Sequence, residues 1–299
     1  MSTVPVLFRR LVDDAALFPP GNAPFDRAVD AHVGHQRAPY AQVIGRFIVK
    51  ASDLHELPGQ LDGEAMVISA IADGGADAAA GAIGQLRSFE GHHRHAGRHA
   101  IASGVSVECV EIPLDPDTGL AAQVSAAAHA VSGAEVFIEI PLRTGWRDAV
   151  SACADERVGA KLRTGGLESG AFPAPRQVGD FVAACVRAGV PFKCTAGLHR
   201  AVTHTDPLTG FHHHGFLNVL VATHAAITGA DVLAAVTARD PQDLAAVCWG
   251  IDDGAASAVR AAFTGFGSCS VADPIRDLAG LGLIDPSLAD ALPPEPHHH

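Results

Sequence analysis

Lysine is rare in this chain. Of its 21 lysines and arginines, three are lysines, at positions 50, 161 and 193. An exposed lysine that serves only solubility is readily replaced by arginine. A desolvated ammonium, in contrast, can lose its proton and attack a carbonyl, which a guanidinium cannot do. We therefore expect the three lysines to lie where the protein needs a reactive or compact cation.

Other absences restrict the class of protein. No apolar run approaches the roughly 20 residues of a membrane-spanning helix, and the N-terminus shows no signal-peptide core. The net charge is −12 and no basic stripe interrupts it, which argues against nucleic acid as a partner. Six cysteines without C-x-x-C spacing indicate buried, reduced thiols. We expect a cytoplasmic protein with a small-molecule substrate and no membrane partner; homo-oligomerisation stays open.

Two catalytic motifs are also missing. No G-x-G-x-x-G follows the first predicted strand, which argues against a dinucleotide-binding fold. No G-x-S-x-G elbow is present, so serine hydrolase chemistry has no support.

Short apolar segments alternate with alanine-rich helical segments along the chain. The predicted strands are residues 42–50, 66–73, 105–114, 135–142, 157–165, 191–197 and 262–269. Continuous apolar strands separated by helices are typical of a parallel sheet covered on both faces. Seven or eight such units favour a (β/α)8 barrel of the TIM type over a doubly wound sheet. Residues 231–237 and 246–250 compete for the remaining strand.

This interpretation divides the chain into three parts. Residues 1–40 are expected to form a helical extension packed on the barrel, and residues 41–290 the barrel itself. Residues 291–299 are a tail whose last three histidines are typical of a tag remnant.

Polar residues end several of the apolar strands. The carboxyl ends of barrel strands build the active site, and side chains alternate between the two faces of a strand. We therefore expect one group of side chains to converge at the barrel mouth: Glu111, Glu139, Lys161, Arg163, Lys193 and Thr195.

Roles for this group follow from its chemistry. A desolvated lysine of this group could act as a nucleophile or as a key cation. Arg163 would orient an anionic group, with Thr195 beside it, while Glu111 or Glu139 would move protons. The alternative is a buried lysine–glutamate network that only stabilises the barrel.

The stretch FKCTAG, residues 192–197, resembles the Schiff-base lysine strand of the deoxyribose-phosphate aldolase family, whose motif has the form K-T-S-T-G. In this resemblance Lys193 matches the nucleophile, and Thr195 and Gly197 stand in the corresponding places. The resemblance covers six residues and implies class I aldolase chemistry, with Lys193 as the nucleophile or key cation and Lys161, or else Lys50, as the second cation that lowers its pKa. The family's second lysine follows on a later strand, whereas Lys50 and Lys161 precede Lys193 here.

Two glycine-bearing segments are candidate anion sites. In R-T-G-G, Arg163 and the backbone N–H groups of Thr164, Gly165 and Gly166 could hold a carboxylate or phosphate, or the glycines could simply form a turn. Near the last strand, Ser268 precedes a helix start at Pro274 and is either a substrate contact or part of a structural cap.

A histidine-rich loop follows the Lys193 strand. It contains five histidines between residues 199 and 214, and loops of this length often form lids or binding loops. His199 is a candidate acid or base, and His214 and Asn218, at the start of the next helix, are candidate substrate ligands. The same imidazoles could instead bind a divalent metal such as Zn²⁺, although their spacing matches no standard zinc motif.

The residues together favour lyase or aldolase-type chemistry on a small, polar, anionic carbonyl metabolite, without a cofactor. The first alternative is a metal-dependent hydrolase or lyase that uses the loop 199–214. The second is a non-catalytic ligand-binding barrel.

Overall fold

The fold is that of a computed structural model, which describes residues 3–61, 64–95 (side chains to residue 88) and 104–293. Of the tail predicted at 291–299, residues 294–299 lie outside the described part. No helix among the described residues is long and apolar enough to span a bilayer.

Eight parallel strands close into a (β/α)8 barrel of the TIM type, as predicted. Around the barrel the strands run in chain order: β1 Val12–Asp14, β2 Ile44–Lys50, β3 Met66–Ile71, β4 Val105–Pro113, β5 Glu135–Glu139, β6 Gly159–Arg163, β7 Phe192–Thr195 and β10 Phe263–Ser268. The two remaining strands, β8 His204–Thr205 and β9 His212–His213, form a separate antiparallel hairpin in the segment that follows β7.

Helices connect the strands and cover the outside of the barrel. They are α1 Phe25–Arg37, α2 Ala76–His95, α3 Leu120–Ala130, α4 Trp146–Glu156, α5 Pro175–Ala188, α6 Phe216–Thr228, α7 Val232–Thr237, α8 Pro241–Gly250, α9 Asp253–Ala262, α10 Ala272–Gly280 and α11 Ser287–Asp290. Short 3-10 helices lie at Val6–Phe8, Ala41–Val43, Ala51–Gly59 and Ser169–Ala171.

Helix α5 shows how the sequence sets these boundaries. It begins with Pro175, whose missing N–H costs nothing in the first turn of a helix. Its last residue is Ala188, and the following Gly189 has a φ of 65°, the left-handed conformation that glycine adopts without strain. Its buried face includes Phe181, whose ring packs edge-on against Phe192 of β7 at 6.0 Å. Burial of each such side chain contributes about 1.5–3 kcal/mol to folding.

The predicted domain division is wrong at the N-terminus. Residues 1–40 are not an extension outside the barrel, because β1 pairs with both β10 and β2 and closes it. Aspartate is disfavoured in β-strands, yet two of the three residues of β1 are aspartates. Their burial depends on partners far along the chain: Lys193 for Asp13, and His32 of α1 for Asp14.

Neither segment predicted for the missing strand forms one. Residues 232–237 are helix α7, and residues 246–250 belong to helix α8. Each helix is preceded by an aspartate whose side chain accepts hydrogen bonds from backbone N–H groups. Asp231 accepts from Ala234, and Asp240 accepts from Gln242 and Asp243. These N-caps, which satisfy the first N–H groups of each helix, select helix over strand.

Candidate active site at the barrel mouth

Charged side chains of alternating sign form a continuous chain inside the barrel. Glu139, Lys161 and Lys193 are direct neighbours across β5, β6 and β7, so their side chains lie at one level of the barrel wall. Of the predicted group, Glu111, Glu139, Lys161, Arg163 and Lys193 therefore come together as expected from strand alternation. In order of contact the charge chain consists of Asp13, Lys193, Glu111, Lys161, Glu139 and Arg163.

The inner half of the charge chain is closed to solvent. Lys193 Nζ lies 2.7 Å from Asp13 Oδ2 and 2.5 Å from Glu111 Oε1, and the residue is fully buried. Ser69 Oγ donates to Glu111 Oε1 at 2.6 Å. The ammonium also lies 5.9 Å from the centre of the Phe137 ring. Lys193 is thus enclosed on several sides by the barrel's own residues.

The outer half leads to the surface. Lys161 Nζ lies 2.5 Å from Glu111 Oε2 and 2.7 Å from Glu139 Oε2, and its side chain is 2% exposed. Glu139 is 19% exposed, and its Oε1 lies 3.5 Å from Arg163 Nε, whose side chain is 53% exposed. Access to the charge chain therefore increases from Lys161 to Arg163.

Both lysines are held in the charged form. Desolvation alone would lower the pKa of each lysine, but the adjoining carboxylates outweigh it and raise the pKa of Lys193 and of Lys161. Desolvation likewise works against the ionised carboxylates of Glu111 and Glu139, and the ammonium groups outweigh it and lower the pKa of both. The free protein therefore presents protonated amines and ionised carboxylates at this site.

Buried ion pairs are weak evidence of a purely stabilising role. Removing an ion from water costs several kcal/mol, and well-packed apolar residues in place of a buried ion pair are often neutral or stabilising. Three carboxylates and two ammonium groups nevertheless lie in contact inside this barrel. Perturbed charges that lead into a cleft are typical of a functional site.

A cleft opens beside the exposed end of the charge chain. It has a volume of about 290 Å³ and lies between the segments that follow β5 and β6. Its lining includes Glu139, Arg143, Leu162, Arg163, Phe172 and Gln177. The cleft thus combines two guanidinium groups, the accessible carboxylate of the charge chain and an aromatic ring.

The segment R-T-G-G packs tightly against the end of β7. Thr164 uses its N–H on Thr195 O at 2.8 Å and its hydroxyl on Ala196 O, so the prediction that it binds substrate is wrong. A Cβ on Gly165 would lie 3.0 Å from the Cα of Gly197, which explains a glycine there. Anion binding by the N–H groups of Gly165 and Gly166 stays a prediction, as does a substrate contact by the half-buried Thr195.

Ala196 has a φ of 60°, a left-handed conformation that is uncommon for a residue with a side chain. The hydrogen bond that Thr164 donates to its carbonyl holds this turn in place. Strained residues of this kind cluster at functional sites, and this one directly follows the strand that carries Lys193.

Two predicted substrate ligands belong to the scaffold instead. Asn218 is fully buried; its Oδ1 accepts the N–H of Thr203, and its Nδ2 donates to the carbonyls of Ala235 and Ala238. His214 is also fully buried, and its Nε2 lies 2.7 Å from Pro173 O. Burial lowers the pKa of His214 to about 4. Both side chains are buried against protein partners, so the structure gives no support to the prediction that they bind substrate.

Ser268 is the last residue of β10, and His199, in the segment that follows β7, contacts this end of the strand. His199 Nδ1 is 3.5 Å from Ser268 Oγ and 3.5 Å from Cys269 Sγ. Ser268 is 1% exposed and donates to Ser270 O, as expected of a structural cap. His199 contacts β10 rather than Lys193, so a direct role beside that lysine has no geometric support.

Three further histidines, His204, His212 and His213, lie on the hairpin β8–β9 beside the cleft. The hairpin β8–β9 places His213 against Phe172 at 4.7 Å and stacks His204 on His213 at 5.2 Å. His212 Nε2 lies 3.1 Å from the hydroxyl of Thr203. Within residues 3–61, 64–88 and 104–293, no group of three or more metal-binding side chains comes together. The imidazoles of the hairpin contact one another and the adjoining loops.

Sequence analysis missed three residues of the site. Asp13 and Ser69 complete the inner half of the charge chain, and Arg143 lines the cleft. A signal for Asp13 was present, because the pair Asp13–Asp14 lies in the otherwise apolar stretch 11–18.

No protein-family model matches this chain, and no curated protein matches it in sequence. Since one barrel fold supports many unrelated activities, the function has to be argued from the site itself.

Proposed function

We propose that this barrel is an enzyme that acts on a small anionic carbonyl compound, by lyase-type chemistry at the Glu139–Arg163 end of the charge chain. One observation carries the proposal. A buried chain of alternating charges becomes accessible at one end, inside a cleft at the mouth of a (β/α)8 barrel. Active sites of this fold lie at that face.

Substrate binding is the role of the guanidinium groups. Arg163 is half-exposed and Arg143 lines the same cleft. Arginine binds carboxylate and phosphate groups through two parallel hydrogen bonds, which also fix the orientation of the ligand. A cleft of about 290 Å³ suits a metabolite of a few carbon atoms.

Lys161 and Glu139 would carry out the reaction. Glu139 is ionised and accessible, so it can accept the proton of a hydroxyl group β to the substrate carbonyl. The bond between the α and β carbons then breaks, and its electron pair moves onto the carbonyl oxygen as an enolate. The ammonium of Lys161 stabilises that oxygen, and the proton held by Glu139 returns to the α carbon.

Schiff-base formation is the covalent version of the same proposal. It requires a neutral amine, and the geometry favours Lys161 over Lys193 for it. Lys161 can pass a proton to Glu139 next to the cleft, whereas the ammonium of Lys193 is enclosed between Asp13 and Glu111. The resemblance of FKCTAG to the aldolase motif points to Lys193, so peptide mapping of trapped adducts separates the two lysines.

The test is turnover of a panel of small 2-oxo acids, β-hydroxy carbonyl acids and phosphorylated hydroxy-aldehydes, followed by proton NMR. We expect Lys161→Met to reduce kcat at least 100-fold, and Arg163→Gln to raise KM about tenfold. Lys50→Met and Arg187→Gln are the matched controls, because both residues are exposed and lie outside the charge chain and the cleft.

Three outcomes decide the proposal. Turnover that Lys161→Met leaves intact contradicts it, as does a borohydride-trapped adduct on Lys193. Saturable binding of panel compounds without turnover of any of them favours the ligand-binding barrel.

A further inference from the structure

A second cleft lies beside the barrel mouth, outside the charge chain. It has a volume of about 540 Å³ and is formed by the segment after β7, the start of α8 and the second half of α10. Its lining includes Arg200, His204, Arg239, Arg276, Asp277 and Leu281. We refer to it as the arginine groove.

The groove is a local concentration of positive charge on an acidic protein. Three arginines face one carboxylate in its lining, although the chain as a whole carries a net charge of −12. The carboxylate, Asp277, is already engaged: its Oδ2 accepts the N–H of Ala201 at 2.7 Å. Its Oδ1 lies 3.4 Å from Arg200 Nη1, a long contact for an ion pair. Asp277 pairs with Arg200 and Asp273 pairs with Arg276, so the guanidinium of Arg239 is the one left without a carboxylate partner among the described residues.

Arg239 is the most available of the three arginines. It is exposed and makes no hydrogen bond or ion pair with any residue in the described part of the chain. Arg276 differs, since its Nη1 lies 3.5 Å from Asp273 and its Nη2 donates to Pro293 O. The planar donor fork of Arg239 can therefore take a ligand without first losing a protein partner.

Apolar residues lie beside the cations. Val202, Pro241 and Leu281 line the same groove. A ligand that matches this surface carries a compact multiple negative charge on an apolar body. Bidentate guanidinium bonds would hold the charge, and burial of the body would add affinity.

We propose that the arginine groove is a binding site for a small organic dianion, a phosphate monoester or a dicarboxylate. This inference is independent of the proposed function, because the groove shares no lining residue with the 290 Å³ cleft.

The arginine groove is also in contact with the hairpin β8–β9. His204 of the groove stacks on His213, whose ring packs against Phe172 of the cleft. A ligand in the groove therefore lies two ring contacts from the proposed active site, and its binding can be detected as a change in chemical environment at the hairpin.

Titration calorimetry with phenyl phosphate tests the proposal, with phenylmalonate, inorganic phosphate and neutral benzyl alcohol as comparison ligands. We expect phenyl phosphate or phenylmalonate to bind saturably, more tightly than inorganic phosphate, and benzyl alcohol not to bind. Loss of one charge-assisted contact in Arg239→Gln should weaken binding about tenfold or more. Arg200→Gln is a second variant of the same kind, and Arg187→Gln is the control.

The variant Arg163→Gln separates this site from the active-site cleft, which is also cationic. Binding that survives Arg163→Gln and is lost in Arg239→Gln places the dianion in the groove. The proposal is overturned if neither phenyl phosphate nor phenylmalonate saturates, if Arg239→Gln binds as tightly as the wild type, or if Arg163→Gln alone abolishes binding. Tighter binding of one of the two dianions identifies the ligand as a phosphate ester or a dicarboxylate.

Discussion

Replacing Glu111 by glutamine is the sharpest perturbation of the charge chain. The Glu111 carboxylate contacts Lys193 and Lys161 at 2.5 Å each and accepts a hydrogen bond from Ser69. Glutamine keeps the size of the side chain but removes the negative charge between two buried ammonium groups. The variant therefore leaves each lysine with one carboxylate partner and an uncompensated share of its desolvation cost.

The expected loss of stability can be estimated from this arrangement. Removing one partner of a buried ion pair commonly costs about 3–5 kcal/mol. A chain of 299 residues has an unfolding entropy of about 0.63 kcal/mol/K, at about 2.1 cal/mol/K for each residue. The melting temperature at pH 7 should therefore fall by about 5–8 °C, measured by differential scanning calorimetry.

Glu108→Gln is the matched control, because Glu108 lies on the same strand and also contacts two cations, Arg10 and Arg46. Its side chain is 35% exposed, so the loss should stay within about 1 kcal/mol. Equal shifts of the melting temperature in the two variants would refute the argument that burial, rather than pairing alone, sets the cost.

Two further predictions concern residues assigned to the scaffold. Asn218→Leu leaves the Thr203 N–H and two carbonyls without their partner, so we expect a loss of about 2–4 kcal/mol in urea unfolding, while binding of small anions by the refolded variant is unchanged. A ligand role for Asn218 would show the reverse pattern. The lowered pKa of His214 means that its contribution to stability is present above its unfolded pKa, near 6.5, and is lost as the pH falls to about 4. Protection factors for hydrogen exchange of residues 204–213 should fall across that range in the wild type and fall less in His214→Phe, which keeps His212 and His213, whose pKa values burial also lowers; identical profiles would contradict the assignment.

Seven of the eight barrel strands, β2 to β7 and β10, were predicted from short apolar segments of the sequence. Their side-chain alternation was also sufficient to predict that Glu111, Glu139, Lys161 and Lys193 converge, because neighbouring parallel strands end at the same face. Local pattern determines both properties, so a single sequence contains the information.

Strand β1 could not be predicted in the same way. Its three residues include two aspartates, which are stable there because Asp13 meets Lys193, 180 positions away, and Asp14 meets His32. The contacts of Asn218 and His214 could not be predicted for a related reason. Their protein partners, such as Ala235 and Pro173, become neighbours only in the folded chain.

The rarity of lysine provides the most direct test of the site. Competitive amine labelling with trace acetic anhydride, followed by peptide mapping, reports the reactivity of Lys50, Lys161 and Lys193 separately in the folded protein. If the charge chain keeps both barrel lysines protonated and buried, Lys50 should be labelled at least 100-fold faster than Lys193, with Lys161 between them or equally protected. Labelling of Lys193 as fast as Lys50 at pH 8 would show a neutral, accessible amine at that position, and would contradict the assignment of the reaction to the Lys161–Glu139 end of the charge chain.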